Sequence, residues 1–196
     1  MVRLILFYPA FFIILIASAQ GNAPKGKDAG FAQADSMRYF KETTEFIKFI
    51  RDAGNVQELH LLVDKPYLLT SFNCLADFRK DSTTLTSDER QEVENQISKP
   101  LLKNWNGELV PGVRMINGDT VNSIFKDRSK GWGYFSKNIG CHFNTFSAPV
   151  FLRNYTYCLF YSDHHCCGRC GSGQWVLYKK EDNKWIKVKF YCGWIG

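Results

Sequence analysis

Apolar and polar residues alternate most regularly near the end of the chain, over residues 184–194. One alternating set is Ile186, Val188, Phe190 and Cys192, and the other is Trp185, Lys187, Lys189 and Tyr191. A period of two is typical of a strand with one buried face and one face in water. Three further runs, at 148–153, 156–162 and 174–180, are rich in β-favouring residues and are bounded by turn formers. The end of the chain therefore predicts an antiparallel β-meander.

Helical spacing replaces this alternation in the first part of the chain. Apolar residues recur every three or four positions, which predicts a helix that begins at Asp35 or Ser36 and ends at Gly54. The apolar residues of this helix are Met37, Phe40, Phe46, Ile47, Phe49 and Ile50. Two short apolar runs follow at 59–63 and 65–69, and either of them predicts a strand.

Three shorter helices are predicted in the middle of the chain. Thr86 and Glu89 have the spacing of a capping box, which predicts a surface helix over 90–98. Apolar residues at helical spacing predict two more helices, at 119–125 and 130–140. Because the helices precede the strands, the pattern predicts an α+β fold, in which N-terminal helices pack on a C-terminal antiparallel sheet.

Residues 1–19 have the order of a secretory signal peptide. Arg3 precedes an apolar run, and the small residues Ala17-Ser18-Ala19 form a cleavage site. The apolar run is shorter than the roughly 18 to 20 residues that a membrane span needs. We therefore expect cleavage after Ala19 and no stable membrane span afterwards. Residues 20–34 lack apolar periodicity and predict a flexible leader, which is followed by a single domain at 35–196.

The charge balance is mildly basic, with 25 Lys and Arg against 19 Asp and Glu. The densest group of lysines, at 179–189, is interrupted by Glu181 and Asp182. This pattern indicates a solvated strand face, with contact to an anionic surface as the alternative. The signal peptide predicts a secreted or periplasmic protein. Export and the small excess of positive charge both argue against a nucleic-acid partner.

Cysteines form the most unusual part of the composition. The chain has seven, and five of them lie between residues 158 and 192. In an exported protein they predict structural disulfides, and the odd number requires one cysteine that is free, metal-bound or shared with another chain. The candidates are Cys74, Cys141, Cys158, Cys166, Cys167, Cys170 and Cys192. Sequence alone leaves their pairing open.

The densest chemistry lies at residues 163–170, in a glycine-rich turn between two predicted strands. Structural disulfides are the favoured interpretation of this cluster. A zinc or thiol site is the alternative, with His164, His165, Cys167 and Cys170 as zinc ligands. A second pair of closely spaced cysteines is missing, however, and adjacent histidines rarely reach one metal.

No catalytic residue and no cofactor is predicted from the sequence. Thioredoxin-type redox chemistry is disfavoured, because the glycine-rich turn leads into a strand and not into a helix N-terminus. A nucleophilic site that uses Cys141 or Ser162 with a nearby histidine is also weakly supported. Side chains adjacent in a strand point to opposite faces, so Cys141 and His142 cannot form a dyad by themselves.

Aromatic residues near lysines in the last strands suggest a binding surface. The candidates are Trp175, Trp185, Lys187 and Tyr191. Such a surface could contact an extracytoplasmic protein or a cell-surface glycan. We therefore predict a non-catalytic binding or structural module whose sheet is held by disulfides.

A resemblance supports the fold and the export of the chain. It rests on Ser147-Ala148-Pro149-Val150-Phe151, on the turn Cys167-Gly168-Arg169-Cys170-Gly171 and on Lys184-Trp185. This pattern resembles the C-terminal half of uncharacterised exported bacterial proteins, in which a Ser-x-Pro strand precedes such a hairpin. The resemblance covers about the last 50 residues. It implies the fold and export, and it assigns no functional residue.

Overall fold

A computed structural model describes residues 28–52, 54, 59–69, 74–168 and 170–196, with side chains from residue 35 onward. The predicted signal peptide and the first part of the predicted leader lie outside these residues. The first helix begins at Asp28. It thus begins N-terminal to the predicted cap at Asp35 or Ser36 and includes the last residues of the predicted leader.

Helices and strands of the described chain follow one another in an α+β order, which confirms the predicted fold class. The helices are α1 (Asp28–Asp52), α2 (Cys74–Lys80), α3 (Ser87–Ser98), α4 (Gly118–Lys126) and α5 (Gly131–Asn138). The strands are β1 (Leu61–Val63), β2 (Arg114–Ile116), β3 (His142–Phe146), β4 (Val150–Leu152), β5 (Tyr157–Cys166), β6 (Ser172–Glu181) and β7 (Lys184–Ile195).

All of these strands belong to one sheet with the order β2-β1-β3-β5-β6-β7, and β4 also pairs with β5. Strands β5, β6 and β7 form the predicted antiparallel meander. Strand β1 instead pairs in parallel with both β2 and β3, which the sequence did not predict. The sheet is therefore mixed, with the antiparallel part at its C-terminal side.

Helix α1 covers one face of the sheet. Its buried stripe consists of Tyr39, Thr43, Phe46, Ile47 and Ile50. Met37 and Phe40, which were predicted to belong to the stripe, are exposed. The ring of Phe46 lies 5.2 Å from that of Phe160, and it also contacts the rings of Tyr178 and Trp185. This aromatic cluster joins α1 to the sheet.

The opposite face is covered by two separate groups of helices. Helices α2 and α3 pack over β4, β5 and β6, around Phe78, Val93 and Trp175. Helices α4 and α5 pack over β1 and β3, around Phe135 and Phe143. The two groups form separate apolar clusters, and the sheet between them is only partly covered.

Asp81 links the loop between α2 and α3 to the last strand through a hydrogen bond and an ion pair. Its buried carboxylate accepts a hydrogen bond from Tyr191 and lies 2.9 Å from the Lys189 ammonium group. Burial opposes ionisation, but these contacts outweigh it and hold the pKa of Asp81 well below its ordinary value. The carboxylate therefore stays charged in the folded protein.

The predicted capping box of α3 is confirmed. Thr86 accepts a hydrogen bond from the Glu89 amide, and the Glu89 carboxylate accepts one from the Thr86 amide. Arg153, at the β4 to β5 turn, donates two further bonds to the same carboxylate. Hydrogen bonds from Arg153 are the largest cause that lowers the pKa of Glu89 from 4.5 to about 2.

These contacts predict a pH-dependent difference between the natural protein and Glu89→Gln. Because the folded pKa lies below the unfolded one, the carboxylate stabilises the fold fully above pH 4.5 and progressively less down to pH 2. We expect the variant to be less stable by about 1 to 2 kcal/mol at pH 7. Urea unfolding at several pH values measures the difference, which should shrink below pH 4. Glu92→Gln is the control on the same helix and should show no such trend, because the Glu92 carboxylate accepts a hydrogen bond from Gln96 and forms no ion pair within the described residues.

Candidate functional site

The most unusual part of the sheet is the end of β5, from Ser162 to Cys166. Residues before it are buried on both faces, under α1 on one side and under α2 and α3 on the other. Helix α1 ends at Asp52, and on the other face a cleft reaches Thr145 of β3 and His165 of β5. Two clefts result, one on each face of the sheet, and both reach this segment of β5.

Disulfides account for six of the seven cysteines. The pairs are Cys74 with Cys192, Cys141 with Cys167, and Cys166 with Cys170. Cys158 is the free cysteine, and burial raises the pKa of its thiol well above the ordinary value. A buried thiol with a raised pKa is a poor nucleophile, so the odd cysteine is a core residue.

The geometry gives the zinc alternative no support. Cys167 and Cys170 are in disulfides, so neither sulfur is a thiolate ligand in this form of the protein. His164 and His165 are adjacent in β5 and therefore point to opposite faces of the sheet. In the described part of the chain, no three His, Cys, Asp or Glu side chains are placed to hold a metal ion.

Three of the four predicted binding residues are core residues. Trp175 is fully buried, and Trp185 and Tyr191 are 5% and 7% exposed. These three aromatic side chains therefore pack in the core and do not form an exposed binding surface. Lys187 is exposed, as predicted, and lines the cleft on the α1 face.

Two irregularities in β7 explain this error. Trp175 and Val176 of β6 pair with Cys192 and Phe190, so one extra residue is inserted in β7 between them. A second extra residue lies between the partners of Leu177 and Tyr178. Each inserted residue shifts the alternation by one position. As a result Trp185 and Tyr191 enter the two opposite core clusters, while Ile186, Val188 and Phe190 are left exposed.

A buried carboxylate organises the face of β5 opposite α1. Asp163 is 5% exposed and accepts hydrogen bonds from the Thr145 amide and from the Tyr161 hydroxyl group. The same carboxylate lies 3.1 Å from Nε2 of His165. The Trp194 indole N–H in turn donates to the Tyr161 hydroxyl oxygen. These contacts fix both the carboxylate and the imidazole in position.

Aromatic rings hold His165 from both sides. The imidazole stacks on Phe143 with ring centroids 4.8 Å apart, and Trp194 lies on its other side at 5.3 Å. Trp194 can reach this position only because it lies over Gly173, where a β carbon would overlap the indole ring. The network therefore depends on the glycine-rich turn that follows the cysteine cluster.

The cleft on the α1 face, here called the His164 cleft, is defined by Ser162, His164, Ser172, Gln174, Lys187 and Phe190. It has a volume of about 670 Å³. Ser162 is paired with Gln174, and His164 with Ser172, in the ladder between β5 and β6. Four polar side chains thus form a block on the floor of the cleft.

The cleft on the opposite face, here called the His165 cleft, is defined by Lys65, Tyr67, Phe125, Trp132, Phe143, Thr145 and His165. It lies where the two helix groups leave the sheet partly covered and has a volume of about 570 Å³. Sequence reasoning did not single out either cleft. The residues of each cleft come from segments that are distant in sequence. In the His164 cleft, the extra residues of β7 also break the alternation that was visible in the sequence.

Comparison of the chain with known protein families, with curated proteins and with solved structures finds no match. Function is therefore inferred from the geometry of the two clefts. Among the described residues, no helix is both long enough and apolar enough to span a membrane.

Proposed function

We propose that this chain is an exported, non-catalytic binding module, and that it binds a glycan in the His164 cleft. The observation that carries the proposal is a change in composition on one face of the sheet. Under α1 that face is apolar, with Phe160, Val176 and Tyr178 in the core cluster. Beyond the end of α1 it becomes polar and stays open to solvent.

The polar floor is suited to hydroxyl-rich ligands. Ser162 and His164 are less than 10% exposed although a cleft opens above them. Ser172 and Gln174 are partly exposed beside them. Hydroxyl, amide and imidazole groups can donate and accept hydrogen bonds, which matches the alternating donors and acceptors of a sugar.

Phe190 and Lys187 supply the other two features that a glycan site needs. The Phe190 ring is 59% exposed, so one of its faces can bury the C–H face of a sugar ring. Lys187 is exposed and forms no ion pair with any residue in the described part of the chain. Its ammonium group is available to a ligand hydroxyl or to an acidic sugar.

The expected export of the chain is a second, independent argument for the proposal. Three disulfides are typical of an oxidising compartment outside the cytosol. The predicted signal peptide points to the same compartment, where cell-surface glycans are present.

The test is a titration of the disulfide-intact protein with neutral and acidic oligosaccharides, followed by calorimetry. We expect Phe190→Ala to weaken glycan binding at least about tenfold, as truncation of a central aromatic contact usually does. Lys187→Ala should weaken binding as well, and most strongly for acidic glycans. Both side chains are exposed, so the melting temperature should stay nearly unchanged.

Matched controls lie on the same strand. Val188→Ala and Lys184→Ala remove an exposed apolar and an exposed cationic side chain that do not line the cleft. Both controls should bind as the natural protein does. Failure of every glycan to bind, or equal losses in controls and test variants, would contradict the proposal.

A further inference from the structure

We propose that the His165 cleft is a second ligand site, which binds a small carboxylic acid with an aromatic or branched aliphatic body. This site lies on the opposite face of the sheet from the His164 cleft, and it does not depend on glycan binding. Its volume of about 570 Å³ falls within the usual range of small-molecule sites.

The walls of this cleft are mainly apolar. Phe125 is 37% exposed and lies against Trp132, which stacks on the buried Phe143. Val63 and Val121 complete the apolar wall. Apolar surface that stays open to water gains free energy when a ligand covers it, so these walls are suited to the body of the ligand.

Polar groups of the cleft favour a negative head group. Lys65, Thr145 and His165 line the cleft, and no acidic side chain lines it. Lys65 Nζ lies 2.6 Å from the Asp119 carboxylate, and the two side chains are 48% and 73% exposed. Exposed ion pairs contribute little, so a ligand carboxylate can compete with Asp119 for the ammonium group.

Among the polar side chains of this cleft, His165 is held in a fixed orientation by its neighbours. Asp163 contacts its Nε2 atom, and Phe143 and Trp194 hold the ring from both sides. The imidazole is one-third exposed, so part of the ring can contact a ligand. A ring that is already oriented loses little entropy when it binds a ligand.

The test uses phenylacetate, indole-3-acetate and 4-methylpentanoate, each compared with its uncharged amide. Binding to the disulfide-intact protein is measured by calorimetry and by NMR. We expect the carboxylates to bind at least about tenfold more tightly than the amides, because only they form charge-assisted hydrogen bonds. Equal affinities, or no binding by any probe, would overturn the proposal.

Variants separate this site from a general effect on the fold. His165→Gln keeps a donor for Asp163, and Lys65→Met changes an exposed side chain, so both should fold and lose the preference for carboxylates. Asp119→Asn should tighten carboxylate binding about twofold to fivefold, because it removes the competing anion. His60→Gln, an exposed histidine outside the cleft, should change nothing. If Lys65→Met and Asp119→Asn both leave the affinities unchanged, the proposed head-group site is wrong.

Phe190→Ala provides the separation from the first proposal. Phe190 lies in the other cleft. The Phe190→Ala substitution should therefore weaken glycan binding and leave carboxylate binding intact. Loss of both activities in this variant would contradict the independence of the two sites.

Discussion

Replacing Cys74 and Cys192 together with serine is expected to lower the free energy of unfolding by about 4 to 5 kcal/mol. The disulfide joins α2 to β7 across a sequence separation of 118 residues. A crosslink stabilises mainly by restricting the unfolded chain, and the restriction grows with the length of the closed loop. Cys74 is also buried, so a serine hydroxyl at this position adds a cost of its own.

The disulfide between Cys166 and Cys170 is the natural control, because its sequence separation is only 4. The same loop dependence gives it about 2 kcal/mol. Urea unfolding of the two double-serine variants measures both values under one set of conditions. If the short loop proved as stabilising as the long one, the explanation by chain entropy would be wrong.

Replacing Trp175 with alanine is expected to cost about 3 to 5 kcal/mol of stability. The indole is fully buried, and its ring lies 5.2 Å from Phe78 and 5.5 Å from Tyr191. Phe78 belongs to α2 and Tyr191 to β7, so the cavity would open between the helix layer and the sheet. The cost combines lost apolar burial with the incomplete collapse of that cavity.

Phe190→Ala is the matched comparison for this prediction. Its ring is exposed, so the free energy of unfolding should change by less than about 0.5 kcal/mol. Thermal and urea unfolding of both variants check the contrast. A stability loss for Phe190→Ala as large as that for Trp175→Ala would mean that β7 is packed differently. Phe190→Ala should weaken glycan binding, whereas Trp175→Ala should keep it under conditions in which that variant is folded.

Local signals predicted much of the α+β fold. The capping box at Thr86 and Glu89 is confirmed, because its two hydrogen bonds join residues three positions apart. The ends of strands β5 and β6 differ from the predicted ends by one to four residues, because the aromatic and β-branched runs of both strands are uninterrupted. Helix α2, in contrast, was not predicted. Its seven residues are too few to show helical periodicity.

The candidate sites were less accessible to sequence reasoning. Lys187 was predicted to take part in binding, and it does line the His164 cleft. Its predicted aromatic neighbours are buried, and Phe190, on the opposite alternating set, lines the cleft with it. Two extra residues in β7 caused this exchange, and no local signal marks where a strand deviates from its partner.

Local sequence patterns were sufficient to predict the α+β class, the antiparallel meander, the helix cap and the set of cysteines available for disulfides. These features depend on residues that are close together in the chain, where propensity and periodicity act. The parallel pairing of β1, the disulfide partners and the position of both clefts follow from long-range packing. Each of these brings together residues that are far apart in sequence, so the outcome depends on how the whole core packs and not on any local pattern.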